Sequence, residues 1–94
     1  MPIIGSLDKP YGVGYKVYED TVDVTGSKDI DTGFRVVKTV SVSVETTSST
    51  KVYFPRIDSI SGGTVTVKVA DFDGTTLNIT SSDTVKIHII VIGY

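Results

Sequence analysis

The sequence predicts an all-β chain, an antiparallel β-sandwich or small closed barrel of six to seven strands. Three observations predict it. Val, Thr and Ser dominate the composition. Apolar residues alternate with polar ones in segment after segment and nowhere recur at i, i+3, i+4 and i+7 through three helical turns, so the period is two rather than 3.6. Clusters of Gly, Asp, Ser and Thr return at roughly 8 to 12 residues, the strand spacing of sandwiches and barrels.

The elements follow in order. Residues 1–12 carry Pro2, Gly5, Pro10 and Gly12 with little periodicity, and are expected as an N-terminal arm or loop ahead of a single domain at 13–94. GYKVYEDTVDVTGS alternates less cleanly, with Tyr15, Val17, Val22 and Val24 as inward candidates. In FRVVKTVSVSVE the even positions Phe34, Val36, Val40, Val42 and Val44 are apolar, against polar Arg35, Thr39, Ser41, Ser43 and Glu45, which describes a strand with one wet face. After the polar turn 46–50, Val52 and Phe54 resume the apolar phase, and Pro55 ends that strand or assigns it to a sheet edge, because proline donates nothing to a ladder. Gly62-Gly63 suits a tight turn before TVTVKVADF, where Val65, Val67 and Val69 share a face. Asp73-Gly74 is a hairpin signal, with Leu77 and Ile79 in phase beyond it. Ser81-Ser82-Asp83 then turns the chain into TVKIHIIVIGY.

That last strand is apolar on both faces at its far end. Val85, Ile87, Ile89 and Val91 form the expected core side, and Ile90, Ile92 and Tyr94 lie on the other. A strand of a small sandwich should present one face to water, so a second cover is required: a neighbouring subunit, the N-terminal arm with Ile3 and Ile4, or a loop of the same chain. Ile90, Ile92, Tyr94 and His88 on that even face are therefore the candidate self-association surface.

The 94 residues bury only roughly 60 to 65% of the unfolded surface, a modest core that a partner subunit would supplement. There is no Cys, hence neither a disulfide framework nor a thiolate metal site. Nine basic and eleven acidic residues, with neither sign in a block, lack the basic field that nucleic-acid binders use. The longest apolar run, Ile89 to Ile92, is too short to span a bilayer, and no signal peptide is visible, so no nucleic-acid or membrane partner is expected.

No motif implies a cofactor or an enzyme. Asp31-Thr32-Gly33 spells the triplet of aspartic proteases, but Asp29-Ile30 precedes it where an apolar pair belongs. The chain also stops at Ile92-Gly93-Tyr94, without the helix that ends the retroviral-type enzymes. The triplet reads as a turn, with Asp31 bonding a nearby amide and Gly33 taking positive φ. Asp71/Asp73 and Asp29/Asp31 each space two carboxylates as calcium loops do, yet no Glu follows to complete a shell of six to eight oxygens. No metal site is assigned. His88 is the only histidine, which leaves no multi-His metal site; an interface role outweighs one as a single general base or sugar contact. Tyr11, Tyr15 and Tyr18 cluster in KPYGVGYKVYED. Aromatic faces beside Asp and Lys suit either an arm packed on a neighbour or a sugar-stacking site.

From Ile30 to Tyr94 the chain resembles the small β-sandwiches of virus and phage virion proteins, of tail-fibre, receptor-binding or decoration type, and H-type lectin domains. The resemblance is carried by Gly33-Phe34 ahead of Val40, Val42 and Val44, by TVTVKVADF, and by the closing TVKIHIIVIGY. His88 stands where those lectins usually have Trp, so no binding residue is carried over. The resemblance implies a non-enzymatic virion structural or decoration protein, located on a virion or outside the cell, that assembles as a symmetric homo-oligomer, with a trimer favoured. Other virion proteins or glycans are the further partners it implies. The alternative is a carbohydrate-binding receptor-recognition module.

Overall fold

The computed structural model describes the backbone of residues 3–7 and 14–94, with side chains from residue 14 onward. Among these it forms seven strands of five residues or more and one two-residue segment, with no helix. They are β1 (Ile3–Leu7), β2 (Tyr15–Thr25), β3 (Ser27–Asp31), β4 (Val37–Val44), β5 (Val52–Ser61), β6 (Thr64–Phe72), the short β7 (Leu77–Asn78) and β8 (Thr84–Gly93). Two antiparallel sheets pack together. The first has the order β1-β2-β8-β4, and the second β3-β6-β5, with β7 also paired to β6.

Alternation decides what each strand buries. Val85, Ile87, Ile89 and Val91 of β8 meet Val65, Val67 and Val69 of β6 in the core, all without solvent exposure, each worth roughly 1.5 to 3 kcal/mol by burial. Val40, Val42 and Val44 of β4 pack against this cluster from the inward face that their phase predicts. Lys38 interrupts that phase without harm, because the β4/β8 register shifts between Val37 and Thr39 and a bulge absorbs the extra residue.

One sheet change and one close approach fall on glycines. The chain leaves the first sheet at Thr25 and enters the second at Ser27, turning at Gly26 with φ near +76°, a conformation that side chains with a Cβ rarely adopt. Gly63 closes the β5–β6 turn against the backbone of Phe34, where an added Cβ would lie 1.9 Å from the Phe34 carbonyl oxygen. Thr32 bonds the Gly63 carbonyl through its amide at 2.9 Å and its hydroxyl at 2.6 Å, tying that turn to the segment after β3.

Several expectations change here. Residues 3–7, expected within an arm or loop, pair with β2 from Ile3↔Glu19 to Leu7↔Tyr15 and extend the first sheet at its edge. Strand β2 runs unbroken from 15 to 25, so one parity faces inward throughout. Val22 packs against the core and Val24 and Tyr18 are buried within it, whereas Tyr15 and Val17 lie on the outer face. In β5 the inward side belongs to Tyr53 and Ile57, and Val52 and Phe54 point out. Leu77 likewise faces outward beside Phe72. Where both parities of a strand carry apolar residues, period two leaves the phase open, and the cross-strand register chooses it. Pro55 sits inside β5, which is an edge strand as proline requires.

Candidate functional site

The even face of β8 forms the middle of the outer surface of the first sheet. In register across β2, β8 and β4 stand Val17, Ile92 and Thr39, then Glu19, Ile90 and Ser41, then Thr21, His88 and Ser43. Ile90 and Ile92 are half-buried, screened by a strand on each side. The His88 Nε2 stands 2.9 Å from Glu19 Oε1. Tyr94 packs on Tyr15 with ring centroids 6.1 Å apart, and the Lys38 ammonium stands 5.7 Å from the Tyr94 ring centre, within cation–π reach.

Of the predicted tyrosine cluster, the two described members stand apart. Tyr15 and Tyr18 take opposite faces of β2. Tyr18 is 6% exposed and donates its hydroxyl to Asp20 at 3.4 Å, so its ring offers no stacking face; burial, then Asp20, push its pKa up. Tyr11 lies outside the described residues.

The outer surface of the second sheet is more apolar and far more open. Val52, Phe72 and Leu77 align in one row across β5, β6 and β7, and Phe54 and Ala70 align in the next. Phe72, Phe54, Val52 and Leu77 are 38, 48, 54 and 58% exposed, and Ile79, just after β7, is 66% exposed. Beyond Phe54 and Ala70 the surface turns polar at Arg56 and Lys68, which share the Asp58 carboxylate at 3.4 Å each.

Beneath the apolar rows lies a polar network. TVTVKVADF places Asp71 on the same face as Val65, Val67 and Val69, and its carboxylate is 1% exposed. It accepts the Ser81 hydroxyl at 2.6 Å and the Asn78 amide at 2.8 Å, with the Lys51 ammonium 3.8 Å away. Lys51 and the Tyr53 hydroxyl both donate to Asp83 at 2.9 Å. Hydrogen bonds from Ser81 and Asn78 hold the Asp71 pKa below the ordinary carboxylate range, and those from Lys51 and Tyr53 do the same for Asp83. The bonds to Asp83 push Lys51 and Tyr53 up. Every buried side-chain nitrogen and oxygen among the described residues has a partner, which is the condition for tolerating a carboxylate in a core.

No protein-family model matches this chain, and neither a curated protein nor a solved structure does. Its function is therefore read from side chains and their surroundings.

Asp31-Thr32-Gly33 makes the turn its residues predict. Asp31 Oδ1 accepts the Gly33 amide at 2.9 Å, Gly33 takes φ near +75°, and Phe34 donates its amide to the Thr32 hydroxyl at 3.1 Å. The two aspartate pairs are likewise spoken for. Asp73 Oδ1 accepts the amides of Thr75 and Thr76 within its own hairpin turn, which lowers its pKa, while Asp71 faces the interior. Asp29 accepts the Thr66 hydroxyl at 2.7 Å. Among the described residues no group of three or more His, Asp or Glu stands together as a metal centre.

Residue-by-residue reading named His88, Ile90, Ile92 and Tyr94, and the structure gathers them on one face with Tyr15. The second surface is not legible that way, because Val52, Phe54, Leu77 and Ile79 read as a continuing apolar phase. Asp71 carried a usable signal, a charged residue in phase with three buried valines.

Proposed function

We propose that this chain is a non-enzymatic structural protein that works by assembling with copies of itself, a virion structural or decoration protein built as an open β-sandwich. One observation carries the reading: both sheets leave apolar side chains on their outer faces, Ile90, Ile92 and Tyr94 on one and Val52, Phe54, Phe72 and Leu77 on the other. A small domain that worked alone in water would keep at least one face polar. The edges support a sandwich over a closed barrel, since β1 and β4 end the first sheet and β3 and β5 the second. A virion setting rests on the resemblance of the closing strands to virion modules. The non-enzymatic part is supported at the protease-like triplet, where Asp31 closes a turn.

The test is the solution mass of the full chain by light scattering coupled to size exclusion. A stable symmetric oligomer is the expected result. A mass equal to the 10.1 kDa of one chain at every concentration overturns the proposal.

A second reading, a carbohydrate-binding module, is favoured by the Tyr15–Tyr94 pair with Lys38 and Glu19 on the same outer face. Aromatic rings beside charged groups hold sugars by stacking and by hydroxyl contacts. A glycan array decides it: binding that disappears in Tyr15→Ala supports this reading, and a blank array removes it.

A further inference from the structure

The outer face of the second sheet around β7 is the most exposed apolar surface of the described chain, and the geometry points to a second copy of this chain as its occupant. Val52, Phe54, Phe72 and Leu77, between 38 and 58% exposed, lie on this face with half-buried Ala70, and Ile79 follows just after β7 at 66%. Together they expose apolar area on the order of 400 Å², a size at which patches on monomers commonly serve an interaction. A stable interface needs about 800 Å² per partner, which this patch and its polar rim can supply from both sides of one symmetric contact.

Charge placement selects a copy of the chain over other occupants. Along the outer side of β6 the order is Lys68, Ala70, Phe72 and then Asp73 at the turn. Arg56 stands in register with Lys68, and the two cations share the single carboxylate of Asp58, leaving that end positive. The other end is negative, because Asp73 stands in the turn there while Lys51 is already taken up by Asp83 at 2.9 Å and by the buried Asp71 at 3.8 Å. Asp29, one row further out on β3, accepts the Thr66 hydroxyl and keeps its charge, so the excess of cations is confined to the Arg56–Lys68 row.

Lys68 and Asp73 thus lie on either side of Ala70, two and three residues away. Consider two copies face to face with a two-fold axis between them that crosses the strands near Ala70. Each Asp73 then meets the other copy's Lys68 and Arg56, and the apolar rows interlock. An axis along the strands would oppose Lys68 and Arg56 to the same pair and be repelled, so the surface specifies one arrangement. An open cleft of about 280 Å³ at the acidic end, lined by Ser48, Thr50, Lys51, Phe72 and Asp73 among others, gives room for an incoming basic head group.

This inference rests on the self-assembly reading above, and one experiment separates their failures. Sedimentation equilibrium is run on the full chain and on Leu77→Asp, Lys68→Glu and Ile90→Asp over a concentration series, with circular dichroism confirming that each is folded. The expected result is self-association that weakens at least tenfold in Leu77→Asp, and that weakens and becomes less salt-sensitive in Lys68→Glu. If association survives both changes and is lost only in Ile90→Asp, this face is overturned while self-assembly stands. A wild-type chain that stays at 10.1 kDa throughout overturns both.

Discussion

The two outer faces carry similar apolar residues and treat them differently. Ile90 and Ile92 belong to β8, which has β2 on one side and β4 on the other, so neighbouring side chains screen them to half-burial. Val52 and Phe54 belong to an edge strand, and Leu77 to a two-residue segment that covers only the end of β6, so they remain open. An apolar residue on an outer face is sheltered by its sheet in proportion to how central its strand is. The most exposed apolar residues of these faces are therefore at the edge, although β8 has the longer apolar run.

The largest expected effect calibrates the core that both faces share. Ile89→Ala, at a fully buried site, should lower stability by about 3 kcal/mol in urea unfolding; a loss within error would mean that the two sheets are not packed as described.

Acid should act on the corner beneath the open face. Asp71, Asp73 and Asp83 have folded-state pKa values below the ordinary value of about 3.9, so their contribution is complete above that pH and is lost as pH falls through the lowered values. Lys51 and Tyr53 are shifted upward, so their contribution is complete below about pH 10 and is lost as pH rises beyond it. Thermal melts should give a plateau between those limits. Asp71→Asn should flatten its acid edge, and an unchanged edge would show that the network does not hold this corner.

A smaller pair of substitutions contrasts the faces directly. Ile90→Asp puts a charge between two flanking strands and should cost about 1 kcal/mol of monomer stability. Leu77→Asp, on open surface, should stay within about 0.5 kcal/mol of wild type. Equal costs would erase the distinction between a screened and an open face.

Much of this architecture was legible in the sequence. Strict alternation gave β4, β6 and β8 their buried sides, and Asp31-Gly33, Gly62-Gly63 and Asp73-Gly74 marked turns. Pro55 allowed either a strand end or an edge, and β5 runs through it to Ser61 as an edge strand. The reading failed where both parities were apolar, as in Val52-Tyr53-Phe54, because sequence spacing carries no information on which side the core lies. It also failed at 3–7, where pairing to β2 is a non-local event with no local pattern. Of the candidate surface, the β8 stripe was visible as an anomaly. The second face was hidden, since its residues come from three separate segments that only the β5–β6–β7 register brings together.

Hydroxyl-radical footprinting of side chains, from dilute to concentrated protein, addresses the central claim most directly. In the dilute chain Phe54, Phe72, Leu77 and Ile79 should be labelled more readily than Ile90 and Ile92, relative to each residue type's intrinsic reactivity. On concentration the first group should lose label while the second changes little. Stronger labelling of Ile90 and Ile92 in the dilute chain, or protection confined to them and Tyr94 on concentration, would contradict the account and move the working surface to the first sheet.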